Sequence, residues 1–337
     1  MTIALSEGPI KLIEAYIASG VFPGASFAVI NKTSVQKYTM GLNRSKPVKI
    51  ALEDDMAYDL ASVSKVVGTG TVVINLILSK KIALDDLLID HYPDFKGDGA
   101  AKLTIRQLLT HTSGIDPFIK NRNALAYDAL RQALNQVKAT SEKVFHYSDV
   151  NFILLGFMLE TLYGQSLSDI LKSEIFLPFG MSHTGFVAPE NTVATAWQLP
   201  KGMVHDPKAQ VLGIHTGSAG LFSTVDDLVA FAQAYLSDNR YLALLEDYSQ
   251  TQDQRSLGWD LLALNDAAVI AKRDSSQQWL IHTGYTGTFV MLNLIRQQAV
   301  IFLSNRVHLK DDRLQWLVDR NLLIDSFVRT MEILGNE

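Results

Sequence analysis

Ser62-Val63-Ser64-Lys65 runs straight into Val66-Val67-Gly68-Thr69-Gly70-Thr71-Val72-Val73-Ile74-Asn75-Leu76-Ile77-Leu78. The apolar part is too short to span a bilayer and reads as a buried helix. Residues three apart on a helix share a face, so Ser62 and Lys65 meet if Ser62 opens that helix. A serine hydroxyl is a poor nucleophile until a base takes its proton. A lysine desolvated by the following apolar run favours its neutral amine and could be that base. The backbone N–H at a helix N-terminus would sit where an oxyanion forms. A capping serine beside a snorkelling lysine fits the same residues, and the stretch alone supports both readings. A second match, Ser34-Val35-Gln36-Lys37, lies where the chain enters a strand. Positions i and i+3 of a strand face opposite ways, so Ser34 and Lys37 are not expected to meet.

Upstream, apolar residues at helical spacing predict a helix over Ile10–Ile17, ended by Gly20. The turn Phe22-Pro23-Gly24 leads into a buried strand, Ala25–Ile30. Asn31–Ser34 makes a hairpin into a second strand, Val35–Met40. Downstream, helices are predicted at Asp85–Tyr92, Thr104–Thr110, Ala124–Val137, Val150–Tyr163 and Ser168–Ile175. Residues 184–220 hold Gly, Pro and His without a strong period and read as loop-rich. Ser223–Leu236 reads as a helix capped by Ser223 or Thr224. Strands are expected at Leu257–Leu264, Val269–Lys272, Trp279–His282, Thr288–Ile295 and Ala299–Ser304, then a closing helix, Asp311–Ile333. Consecutive strands without crossover helices imply an antiparallel sheet. The expected fold class is therefore α/β. Residues 1–61 and 240–337 would share an antiparallel sheet flanked by helices, residues 62–239 would form an inserted, mostly helical domain, and a site would lie in the cleft between.

The 337 residues carry a net charge of −5, 47% hydrophobic residues and no cysteine. Disorder is excluded by that composition, and the lack of a basic stripe disfavours nucleic-acid binding. Without cysteine there is no thiol nucleophile, thiolate metal site or disulfide. No signal peptide is read at Met1–Ile10, so a cytoplasmic location is expected, although a removed leader stays open.

Two further segments carry chemistry. In His146-Tyr147-Ser148-Asp149-Val150-Asn151, a tyrosine at a loop-to-helix junction can relay protons beside an ammonium. In His282-Thr283-Gly284-Tyr285-Thr286-Gly287, a strand edge can hold a substrate by main-chain hydrogen bonds, with Gly284 allowing close approach. Each also has a bland reading, as a half-buried tyrosine and a hairpin turn.

The three segments in this order resemble the serine β-lactamase and penicillin-binding-protein superfamily, in its class C β-lactamase-like, esterase-containing branch. Supporting segments are Leu108–Gly114, Val204-His205-Asp206-Pro207, Ala219–Thr224 and Leu303-Ser304-Asn305-Arg306, and the resemblance runs from about Ile10 to Phe327. It implies a β-lactamase/transpeptidase-like fold and a serine hydrolase acting through an acyl-enzyme at Ser62. Lys65 would be the partner of Ser62, and Tyr147 the general base or proton relay shared with it. His282-Thr283-Gly284 would stand for the family's Lys-Thr-Gly strand, and the N–H groups of Ser62 and Tyr285 would form the oxyanion hole. Two positions depart from the family pattern. Asp149 stands where β-lactamases of this branch usually have Asn, and an ionised carboxylate only accepts hydrogen bonds. It could pair with Lys65 or a substrate amine. His282 replaces Lys, which would make recognition of a substrate carboxylate weaker and pH-dependent.

The expected substrates are small esters, amides or peptides, without metal, cofactor, nucleic-acid partner or membrane span. The oligomeric state is not readable. A D-alanyl-D-alanine carboxypeptidase, penicillin-binding protein or weak β-lactamase is the alternative, and an inactive binding module of the same fold is a further one. His111 and His205 read as structural, and His215 as a residue that could edge the cleft. Thr216-Gly217-Ser218-Ala219-Gly220 lacks the first glycine and the strand-to-helix setting of a nucleophile elbow.

Overall fold

The computed structural model describes residues 5–140, 142–251, 254–262, 278–308 and 310–335. Its strands are β1 (Gly24–Asn31), β2 (Ser34–Arg44), β3 (Ile50–Ala51), β4 (Tyr58–Asp59), β5 (Phe222–Ser223), β6 (Asp260–Leu262), β7 (Trp279–Thr283), β8 (Phe289–Asn293) and β9 (Gln298–Ser304). Seven of them form one antiparallel sheet in the order β3-β2-β1-β9-β8-β7-β6, and β4 pairs with β5 apart from it. Early and late chain meet at β1 and β9, where Phe27 faces Phe302 and Val29 faces Val300. The expected strand at Val269–Lys272 lies outside the described residues, as do the last two residues of the one expected at Leu257–Leu264.

Alternation along these strands divides the core. Phe27, Val29, Trp279, Ile281, Phe289, Met291, Val300 and Phe302 pack with Phe327, Val328 and Met331 of the closing helix Arg313–Gly335 and with Ile13 and Tyr16 of the helix Lys11–Ser19. The opposite face, with Ala28, Ile30, Val290, Leu292, Ile301 and Leu303, packs under the middle helices. Because both faces are covered, β1, β8 and β9 are buried almost residue by residue and do not show a polar side.

The helix Asp149–Tyr163 runs through the second core. Ser148 caps it by accepting from the Val150 N–H, and Gly164 closes it in the left-handed region. It is apolar on all sides because it is buried on all sides over most of its length. Thr104 and Gln107 form a reciprocal capping box on Ile105–Leu109, and Thr224, one of the two expected caps, starts Val225–Ser237. Ala61–Leu78 has the length and composition of a membrane span, yet most of it is buried inside the fold.

The loop-rich stretch 184–220 also holds one short helix, Pro207–Leu212, with Asp206 as its cap and proline in its first turn. Ser62 lies in the first turn of the apolar helix, as expected, but that turn (Ala61–Val63) is 3-10, and the run continues through a π segment, Val66–Gly70, into the α segment Thr71–Leu78.

Candidate active site

The turn carrying Ser62 is tied down on several sides. Leu60 N–H donates to Leu221 O (2.9 Å), Thr288 Oγ1 donates to Leu60 O (2.9 Å), and Thr286 Oγ1 donates to Asp59 O (2.8 Å). Ala61 adopts φ +46°, in the left-handed region, at a cost on the order of 1 kcal/mol for an L-residue. The surrounding bonds hold it there. Gly284 lies against the same turn, and a methyl group on it would collide with Thr288 Oγ1 and the Leu60 carbonyl. The glycine is thus required by the packing of the β7–β8 turn onto the nucleophile turn.

Ser62 is half-buried and Lys65 completely buried. Lys65 Nζ donates to Ser62 Oγ (2.9 Å), to Asp149 Oδ1 (2.7 Å) and to Ser218 O (2.9 Å). Gly217 makes the last contact possible, since a side chain there would strike the Phe152 carbonyl. Burial alone would lower the Lys65 pKa, but the Asp149 carboxylate and the Tyr147 phenol beside it raise it well above that of an ordinary lysine. The neutral amine expected from desolvation is therefore overturned: a carboxylate at contact distance outweighs the loss of water. Burial would likewise raise the Asp149 carboxyl, yet the ammonium groups of Lys65 and Lys208 hold it well below the carboxylate range.

Lys208 has no counterpart in the sequence reading. Its ammonium lies 3.0 Å from Asp149 Oδ2 and 3.0 Å from Asp206 Oδ2, so alternating charges run Lys65–Asp149–Lys208–Asp206. The available signal was Asp206-Pro207, a helix start that puts Lys208 in the first turn.

Tyr147 is exposed at the cleft, its ring 5.1 Å from Lys65 Nζ. Beneath it lies His111, the rings 4.5 Å apart. His111 Nδ1 accepts from Ser148 N–H (3.3 Å) and Asn151 Nδ2 (2.9 Å), so its proton sits on Nε2. Burial, with Arg255 and Lys65 nearby, keeps the ring neutral by pushing its pKa well below the usual histidine value.

His282 is also buried. Its Nδ1 donates to Thr283 O (3.1 Å), while Nε2 is buried with no hydrogen-bond partner among the described residues. Burial and the cations Lys65 and Arg255 hold it neutral, far below the ordinary histidine pKa. A charge that switches near neutral pH, expected from the histidine in place of lysine, is thus absent. The cation at this strand comes from elsewhere: Arg320, on the closing helix, donates to Thr283 Oγ1 (3.2 Å). Tyr285 turns its phenol to Asp311 (2.6 Å) and stacks on His205, ring centroids 4.9 Å apart.

Of the other histidines read in the sequence, His205 donates its backbone N–H to Asp59, and His215 pairs with Glu160. Ser34 and Lys37 stay apart from this chemistry, since Lys37 pairs with Asp226. Among the described residues no cluster of three or more His, Asp or Glu could hold a metal ion.

A family model described as Beta-lactamase matches residues 10–323. The chain belongs to the beta-lactamase family. Members of this family are serine hydrolases, and this chain is one. Two similar relatives are each called putative D-alanyl-D-alanine carboxypeptidase. The one from Salmonella agona (strain SL483) is 30% identical over 302 residues, covering 74% of this chain and 69% of its own. The one from Salmonella gallinarum (strain 287/91 / NCTC 13346) is 30% identical over 300 residues with the same coverage. Among solved structures, a class C beta-lactamase superposes with a TM-score of 0.76 at 19% identity, covering 96% of both chains. EstCE1, described as a hydrolase with promiscuous acyltransferase activity, gives 0.76 at 18% identity, covering 96% of this chain and 98% of its own. The antiparallel sheet flanked by helices is the beta-lactamase-family fold expected from the sequence.

Proposed function

We propose that this serine hydrolase forms an acyl-enzyme on Ser62 and acts on small esters or amides. The observation that carries the reading is the Lys65 ammonium, held by Asp149 at 2.7 Å while donating to Ser62 Oγ at 2.9 Å. A protonated amine cannot take the serine's proton, so we assign the proton relay to the Tyr147 phenol, whose ring lies 5.1 Å from that ammonium. The adjacent ammonium steadies negative charge on both oxygens. In acylation, Ser62 Oγ bonds to the carbonyl carbon and gives its proton to the Tyr147 oxygen as that phenol passes its own proton to the leaving oxygen or nitrogen, whose bond to the carbonyl carbon breaks. Water repeats the sequence to release the acid and regenerate Ser62. The backbone N–H groups of Ser62 and Tyr285 would receive the oxyanion, on two turns that Thr286 and Thr288 fasten together.

The test is turnover of p-nitrophenyl acetate with intact-mass detection of an acetyl adduct. Wild type should turn over, and Ser62→Ala should lose activity by at least about a thousandfold. Full activity in Ser62→Ala would sink the mechanism, and a folded wild type inert to all esters would favour the binding-module reading.

Arg320 beside Thr283 supports a second reading, a D-alanyl-D-alanine carboxypeptidase, since a guanidinium suits a terminal carboxylate. The relatives' printed name points the same way. Asp149 offers no donor to an acyl-amide carbonyl, which counts against efficient β-lactam hydrolysis. A lasting Ser62-dependent penicillin adduct would move the assignment to the D-peptide class.

A further inference from the structure

Three residues before Ser62 lies a buried carboxylate that the mechanism above does not use. Asp59 is 4% exposed. Its Oδ1 accepts from the Ala61 N–H (2.9 Å) and its Oδ2 from the His205 N–H (2.7 Å). Its own carbonyl accepts from Thr286 Oγ1. One residue thus clasps the left-handed turn before the nucleophile, the loop leading to Lys208, and the turn that bears Tyr285.

Resting on the reading of Ser62 as nucleophile, we propose that Asp59 is a positioning residue for it: ionised, Asp59 holds Ala61 and His205 together, and on taking a proton it releases one of them and Ser62 loses its reactive placement. The chemistry is a count of acceptors. A carboxylate offers both oxygens to two N–H groups, whereas a carboxylic acid must turn an O–H toward one of them. Burial raises the Asp59 pKa to about 6, the two N–H bonds restrain it, and Asp206 adds to the rise. The surrounding groups are already committed. Asp206 pairs with Lys208, Tyr58 bonds Ser26, and the β7–β8 turn presents Tyr285 with Asp311 and Arg306. His205 itself is stacked on Tyr285, with its pKa lowered by burial. A folded-state pKa above the unfolded value means that protonation of Asp59 favours the fold, so activity lost through this group is not unfolding.

The test measures kcat/KM for p-nitrophenyl acetate between about pH 5 and pH 8, in wild type, Asp59→Asn and His205→Gln. Wild-type activity should fall toward tenfold per pH unit below about 6 with an unchanged near-UV circular dichroism spectrum. Asp59→Asn, which carries the acid's donor permanently, should be at least about tenfold slower at pH 8 and lack that limb. His205→Gln should keep the limb. A wild type without the limb, the same limb in Asp59→Asn, or full activity of Asp59→Asn at pH 8 would overturn the proposal. If Asp59→Asn does not fold, the wild-type profile with His205→Gln as control still decides it. Fluorophosphonate labelling separates the two readings: failure to label Ser62 at pH 8 in wild type counts against the nucleophile, whereas labelling that does not fall with acid counts against the clasp.

Discussion

Replacing Asp149 with asparagine should destabilise the protein in a pH-dependent way. The carboxylate is about a quarter exposed, Lys65 is fully buried, and the Lys208 side chain is 10% exposed. At an effective dielectric of about 20, a pair at 2.7 Å has roughly 6 kcal/mol of gross attraction. Desolvation offsets much of this, and breaking a buried pair costs about 3–5 kcal/mol. The amide keeps one acceptor, which places the expected loss at about 2–3 kcal/mol near pH 7. For 337 residues the unfolding entropy is about 0.7 kcal/mol per kelvin, so the melting temperature should fall by about 3–4 °C. The sign with pH follows from the lowered carboxyl pKa. The unfolded chain takes up the Asp149 proton as pH falls below about 3.8 and the folded chain does not, so the wild-type advantage is complete above that value and shrinks below it. Scanning calorimetry of both proteins at pH 7 and near pH 3 makes the comparison. An Asp149→Asn protein as stable as wild type at pH 7, or a deficit equally large in acid, would refute the ion-pair account.

Two other substitutions address the rest of the cleft. His111→Phe keeps a ring beneath Tyr147 but leaves the Ser148 N–H and Asn151 Nδ2 without their acceptor. It should cost about 2 kcal/mol of stability and lower kcat by about tenfold or more, while KM holds, in denaturant titration and ester kinetics. Arg320→Met should raise KM at least about tenfold more for esters bearing a carboxylate than for neutral esters. Because His282 stays neutral, that preference in wild type should not change between about pH 6 and pH 8.

The sheet was legible because its strands carry continuous apolar runs separated by turn residues, and the order of the three motifs disclosed the fold. The contact of Ser62 with Lys65 was legible too, and so was Asp149 as a partner for Lys65. Charge states were harder to read. Desolvation of Lys65 could be inferred from its apolar neighbours, but the carboxylate that reverses its effect arrives from 84 positions away. Lys208, Arg320 and Asp59 escaped for the same reason. Each acts through contacts between distant segments, and none sits in a spacing that sets it apart from an ordinary surface charge. His282 looked like a switch only while its burial was unknown.

The pairing of β1 with β9 also sets a timetable. Val29 waits for Val300, and Leu60 on the nucleophile turn waits for Thr288, so these contacts close loops of more than two hundred residues. Such distant closures are slow, and on a ribosome they cannot form until the partner strand has emerged. A chain halted before β7 would carry Ser62 and Lys65 without the turn that braces them. The hydrolase is in this sense assembled last-to-first: its reactive serine is translated early and becomes competent only when the end of the sheet is made.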